Sequence, residues 1–122
     1  MAGPVGAATG GTVQEHDTTR GVSETGGQKD VKAEAYDLIP PDALAAVARV
    51  FGCGAAKYTA RNWERGYPWG WAFAALMRHA WAFWRGEDID PDSGQPHMAH
   101  AAWHCLVLLS FRSRGIGTDD RG

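Results

Sequence analysis

Four histidines and four carboxylates crowd one stretch of the chain: His79, Glu87, Asp88, Asp90, Asp92, His97, His100 and His104. On an α-helix, positions i, i+3 and i+7 share a face, so His97, His100 and His104 form one row, and that row runs on into Leu108 and Phe111. If an antiparallel helix carries His79 back against this row, imidazole and carboxylate donors converge at one end of a helix pair. Such a mixed set suits Mg²⁺ or Mn²⁺, and Glu87-x-x-Asp90 has the i, i+3 spacing that lets two carboxylates share a cation on a helical turn. The expected metal ligands are therefore Glu87, Asp90, His79, His97 and His100. The bland alternative is a solvated acidic loop whose carboxylates favour the start of the next helix, with His104 as a core residue.

A second group, Gly52-Cys-Gly-Ala-Ala-Lys57-Tyr58-Thr-Ala-Arg61-Asn62-Trp63, joins small residues to two cations, an amide and two aromatic rings. Lys57, Arg61 and Arg78 are suited to phosphate oxygens, Asn62 to a base or sugar, and Tyr58 or Trp63 to stacking on a purine. It is not a phosphate-binding P-loop, because Tyr follows Lys57 and the glycine spacing differs. No Gly-x-Ser-x-Gly elbow or zinc-finger spacing is present.

The elements that must position these groups can be read from the same pattern. Pro41 opens a helix over Asp42–Phe51, where Leu44, Val47, Ala48 and Phe51 recur at helical spacing, ending near Gly52 or Gly54. A short helical stretch over Ala55–Tyr58 and a loop up to Trp69 follow. The run from Trp69 to Arg85 is a second, largely buried helix stopped by Gly86, and a third runs from Pro96 to about Arg112. No period-two alternation is long enough for a strand. The expected fold is thus all-α, a bundle of three to four helices over residues 36–112. Residues 1–35, rich in Gly, Ser and Thr, read as a disordered tail, and 113–122 as a flexible C-terminal tail.

Six Trp, four Phe and three Tyr in 122 residues leave more apolar surface than three short helices can bury, which points to a homo-oligomer. The formal charge of −2, with both signs interspersed, offers no basic footprint for duplex nucleic acid or an anionic membrane. No apolar run approaches the ~20 residues of a membrane span. Cys53 and Cys105, without paired spacing, imply reduced thiols and a cytoplasmic address.

In order along the chain, Tyr36-Asp-Leu-Ile-Pro-Pro-Asp-Ala-Leu44, Phe51-Gly-Cys-Gly-Ala-Ala-Lys57-Tyr58, Asn62-Trp63, Arg78-His79, Gly86-Glu-Asp-Ile-Asp-Pro-Asp-Ser-Gly94 and His97-Met-Ala-His100-Ala-Ala-Trp103 resemble the phage and bacterial dATP/dGTP diphosphohydrolase N-terminal domain family. The resemblance covers residues 30 to 112. It implies hydrolysis of a purine deoxynucleoside triphosphate to monophosphate and pyrophosphate, in the setting of phage nucleotide-pool control. It also invites comparison with the MazG-like all-α pyrophosphohydrolases, whose Glu-x-x-Glu and Glu-x-x-Asp pairs hold Mg²⁺. Glu87-x-x-Asp90 resembles the second pair, but no Glu-x-x-Glu exists in the chain, so the histidines would have to complete the set. On this reading Glu87 and Asp88 are the catalytic carboxylates, with Asp88 as general base. The competing readings are a module that binds nucleotide without cleaving it, and a structural oligomer needing neither metal nor nucleotide.

Overall fold

The computed structural model describes residues 18–122; the first half of the expected N-terminal tail, residues 1–17, lies outside them. The chain divides into a unit ending at Ile39 and a unit over Pro40–Gly122.

The first unit overturns the all-α expectation. Strand β1 (Thr18–Val22) pairs antiparallel with β2 (Gln28–Lys32), in a register that sets Thr19 opposite Val31 and Val22 opposite Gln28. The turn is built by Ser23, whose N–H donates to Gly27 O at 2.8 Å while its hydroxyl accepts the Gly27 N–H at 2.9 Å. Gly26 takes a φ of 87°, which a side chain would resist. Pairing here comes from backbone and turn chemistry rather than from an apolar face, since Val22 and Val31 stay 65% and 53% exposed. That is why no alternation marks the strands, and the fold is mixed α/β. A 3-10 turn, Tyr36–Leu38, follows.

The second unit holds α1 (Pro41–Lys57), a 3-10 turn (Asn62–Arg65), α2 (Trp69–Trp84) and α3 (His97–Arg114). Helix α1 runs on through Gly52 and Gly54 to Lys57. The glycine cost of about 1 kcal/mol each is outweighed by the Ala and Lys that follow and by the packing of α1 on α3. Its buried residue is Val50, not Leu44, which is half exposed. Helix α2 ends where Gly86 swings to a φ of 101°.

Helices α2 and α3 pack antiparallel. Trp69 at the start of α2 meets Val107 and Phe111 near the end of α3, and Trp63, Tyr67, Trp103, Leu108 and Ile116 close around them. Further along α2, Phe73, Met77, Trp81 and Trp84 recur at helical spacing and remain exposed.

Of residues 113–122, read from the sequence as a flexible tail, 113 and 114 complete α3 and 115–122 return to the start of α2. Gly115 adopts the left-handed conformation and the Ile116 N–H bonds back to Phe111 O, closing α3. The Trp69 indole N–H then donates to Ile116 O at 2.8 Å, the Trp69 amide to Thr118 O at 3.0 Å, and the Gly70 amide to the Asp120 carboxylate at 2.8 Å. A Cβ at position 117 would collide with the Tyr67 carbonyl, so only glycine lets this strap approach. Asp120 thus caps a helix fifty residues away. Replacing Asp120 by Ala is expected to lower stability by about 1 kcal/mol with an unchanged m value, as read from urea denaturation.

Candidate metal and nucleotide site

The acidic connector between α2 and α3 is a pinned loop. The Glu87 amide bonds to Ala82 O at 3.0 Å, ending α2, and the His97 amide bonds to Asp88 O at 2.8 Å, beginning α3. Between these, Asp90 N–H to Gln95 O (2.9 Å) and Gly94 N–H to Asp90 O (2.8 Å) tighten the chain, and Asp90 Oδ1 accepts the Asp92 amide at 3.0 Å. The other oxygen, Oδ2, turns inward to 3.4 Å from Ser93 Oγ and 3.5 Å from His100 Nε2.

Antiparallel packing carries His79 of α2 onto the α3 row. Its ring stacks on His100 at a centroid distance of 4.5 Å and lies 6.1 Å from His104. One ligand atom each from His79, Asp90 and His100 fall within 4.8 Å of one another. Glu87 and His97 stand behind this trio. His97 Nε2 is 2.7 Å from Glu87 Oε1, and His97 Nδ1 is 2.9 Å from His79 Nδ1. In the neutral tautomers that fit both contacts, His97 donates from Nε2 to Glu87 and accepts at Nδ1 the proton of His79, leaving His79 Nε2 with a free lone pair.

Burial decides the charge of these rings. It pushes His79 below its ordinary pKa, assisted by His100 and outweighing the opposing pull of Asp90. His100 is lowered by burial too, although Asp90 lies close enough to count as an ion-pair partner. His104 is driven furthest, to about 4, first by burial and then by His79, His100 and Arg78. At neutral pH His79, His100 and His104 are therefore held as uncharged imidazoles.

Beside the cluster opens a cavity of about 770 Å³, within the range of small-ligand sites. One wall is the segment Tyr58–Trp63, in which Arg61 holds a φ of 59°, the only positive φ of a non-glycine among the described residues. Tyr67, stacked with Trp71 at 6.2 Å, and Trp103, packed on Phe51 at 5.7 Å, supply further aromatic surface. His104 belongs to this wall and also neighbours His79, so cavity and cluster are contiguous.

Residues 23–121 match the family described as dATP/dGTP diphosphohydrolase, N-terminal. The chain belongs to this family. A dATP/dGTP diphosphohydrolase of Salmonella phage PMBT28 is 31% identical over 97 residues, covering 80% of this chain and 33% of that protein. The chain thus spans about a third of that curated relative's length. No solved structure matches it.

The residues expected to act in this diphosphohydrolase-family domain separate into groups. His79, Asp90 and His100 converge as donors, whereas Glu87 and His97 form a supporting arm rather than pointing directly into the trio. Tyr58, Arg61, Asn62 and Trp63 line the cavity; Lys57 and Arg78 lie off its wall, Lys57 resting over the Tyr58 ring. Asp88 contributes its backbone carbonyl to α3, while its side chain is exposed and makes no hydrogen bond among the described residues.

Sequence reading missed Ser93, Tyr67, Trp71 and Trp103 as site residues and weighed His104 as core. The Ser93 hydroxyl sits 2.7 Å from His100 Nε2. It does not complete a nucleophilic triad, because Asp90 approaches the same nitrogen instead of orienting the ring from Nδ1. Helical spacing placed His104 on the row; its role on a cavity wall depends on α1, which the spacing does not show.

The titration of His104 gives a checkable sign. Between pH 6.5, where the unfolded histidine gains its proton, and about 4, where the folded one does, the unfolded chain holds the extra proton. Stability should therefore fall as pH drops through that window and lose nothing more to this residue below it. Thermal melts across pH 4–7 should show a shallower decline in His104→Gln than in the parent.

Proposed function

We propose that this domain is a metal-dependent pyrophosphohydrolase of purine deoxynucleoside triphosphates, releasing monophosphate and pyrophosphate. The observation that carries the reading is the contiguity, through His104, of an aromatic cavity sized for a nucleoside with a cluster of neutral imidazoles and a carboxylate. The family membership and the name of the phage relative support the same substrate class.

The donor chemistry fits a divalent cation held by His79, Asp90 and His100. Two imidazoles beside one carboxylate favour Mn²⁺ over the harder Mg²⁺, which prefers an all-oxygen set. When bound, such an ion supplies Lewis-acid charge and a water of lowered pKa. The chain's own residues do the rest. Tyr58 and Trp63 offer π-faces for the base, and the Arg61 guanidinium meets phosphate charge from the same wall. The Glu87–His97 arm holds the His79 ring and its tautomer, keeping Nε2 unprotonated. In the reaction, water adds to the α-phosphorus, the bond to the bridging oxygen breaks, and pyrophosphate departs with that oxygen.

Incubation of the purified chain with each nucleoside triphosphate, with Mn²⁺, Mg²⁺ or EDTA, is expected to give purine deoxynucleoside monophosphate and pyrophosphate only where metal is present. Asp90→Asn should abolish turnover. Glu87→Ala should weaken Mn²⁺ binding, measured by electron paramagnetic resonance, about 10- to 100-fold while leaving the helical circular dichroism intact. Nucleotide recovered unchanged but bound stoichiometrically would replace the enzyme with a sequestering module.

A further inference from the structure

Two ring nitrogens in the second unit are shut away from water without any hydrogen-bond partner: Nε1 of Trp103 and Nδ1 of His104. A buried polar atom left unpaired is costly, and two on consecutive residues call for an explanation. Both side chains belong to the wall of the same cavity. Their rings are set edge to face, 4.8 Å apart and at 89°, with Trp103 backed by Phe51. The pair is a packed assembly of one donor and one ambivalent nitrogen beside a ligand-sized space.

We propose that Trp103 and His104 read the edge of the purine bound in this cavity, which rests on the nucleotide reading above. The indole N–H can only donate, and the purine N7 can only accept, in adenine and guanine alike. Pyrimidines have no such acceptor. At the neighbouring position 6, adenine presents an amino donor and guanine a carbonyl acceptor. A neutral imidazole answers either one by exchanging tautomers, which no fixed donor or fixed acceptor can do. His104 is thus the residue that lets one cavity take both purines. Bringing the two nitrogens onto a purine edge requires rotation of the rings about χ2, and neither loses a hydrogen bond in rotating.

The test is calorimetric titration of the full chain, with Mn²⁺, using α,β-imido dATP and dGTP and their 7-deaza counterparts. The parent protein should bind the 7-deaza forms roughly 5- to 10-fold more weakly, the loss of one hydrogen bond. In Trp103→Phe the same loss should appear with the ordinary nucleotides, and 7-deaza substitution should add nothing to it. His104→Lys should raise the dGTP-to-dATP affinity ratio about tenfold and His104→Glu lower it, a ratio in which the general effect of the new charge cancels. Equal binding of the ordinary and 7-deaza purines by the parent protein would overturn this inference alone, without needing any variant to fold. So would losses that multiply in Trp103→Phe, or a purine ratio unmoved by both His104 variants. Failure of dATP and dGTP analogues to bind at all would overturn the nucleotide reading and this inference together.

Discussion

Each of the three long helices starts immediately after a proline in extended conformation: Pro40, Pro68 and Pro96. None brings a side chain able to cap, so the first amides of each helix must find acceptors elsewhere. For α3 the acceptor is Asp88 O, and that one bond ties the connector down so that Glu87 faces His97 and Asp90 faces His100. For α2 it is Thr118 O and the Asp120 carboxylate, which draw the strap across Trp69 and complete the hydrophobic centre. The donor cluster and the core are both consequences of how uncapped helix starts are satisfied.

The second controlling balance is between desolvation and attraction at the histidines. A carboxylate 3.5 Å from an imidazole would ordinarily raise its affinity for a proton. Here burial wins at His79, His100 and His104, aided by repulsion from neighbouring histidines, His97 among them. A stack of imidazoles only 4.5 Å apart could not persist if each were charged, so neutrality and packing reinforce one another. The same neutrality is what a cation-binding set requires, because a protonated imidazole has no lone pair to give.

How much of this was legible in the sequence depended on whether the signal was local. Helices α2 and α3 are legible in their apolar content, Gly86 and Pro96, and the spacing of His97, His100 and His104 sets them on a common face. The hairpin did not, because its strands carry no apolar alternation and its turn is written in Ser23 and Gly26. The strap was equally silent: Asp120 and Gly70 are a polar residue and a glycine fifty positions apart, and nothing in either foretells the other. Trp103 and His104 read as core material since helical periodicity reports which face is inward, but not whether the interior beyond it is filled. Glu87, expected as a direct ligand, contacts His97, which stands between it and His79, a relation that spacing along the chain does not show.

The strap also makes one wall of the cavity depend on the far end of the chain. The contact between Asp120 and Gly70 closes a loop of fifty residues, whose entropic cost the local bonds of α2 do not carry. Tyr67 and Trp71 flank the strapped end of α2 and line the cavity, and the Tyr67 carbonyl itself accepts the Thr118 amide. The cavity wall thus has the chain's last residues as its neighbours, while the histidine cluster at the other end of the helix does not.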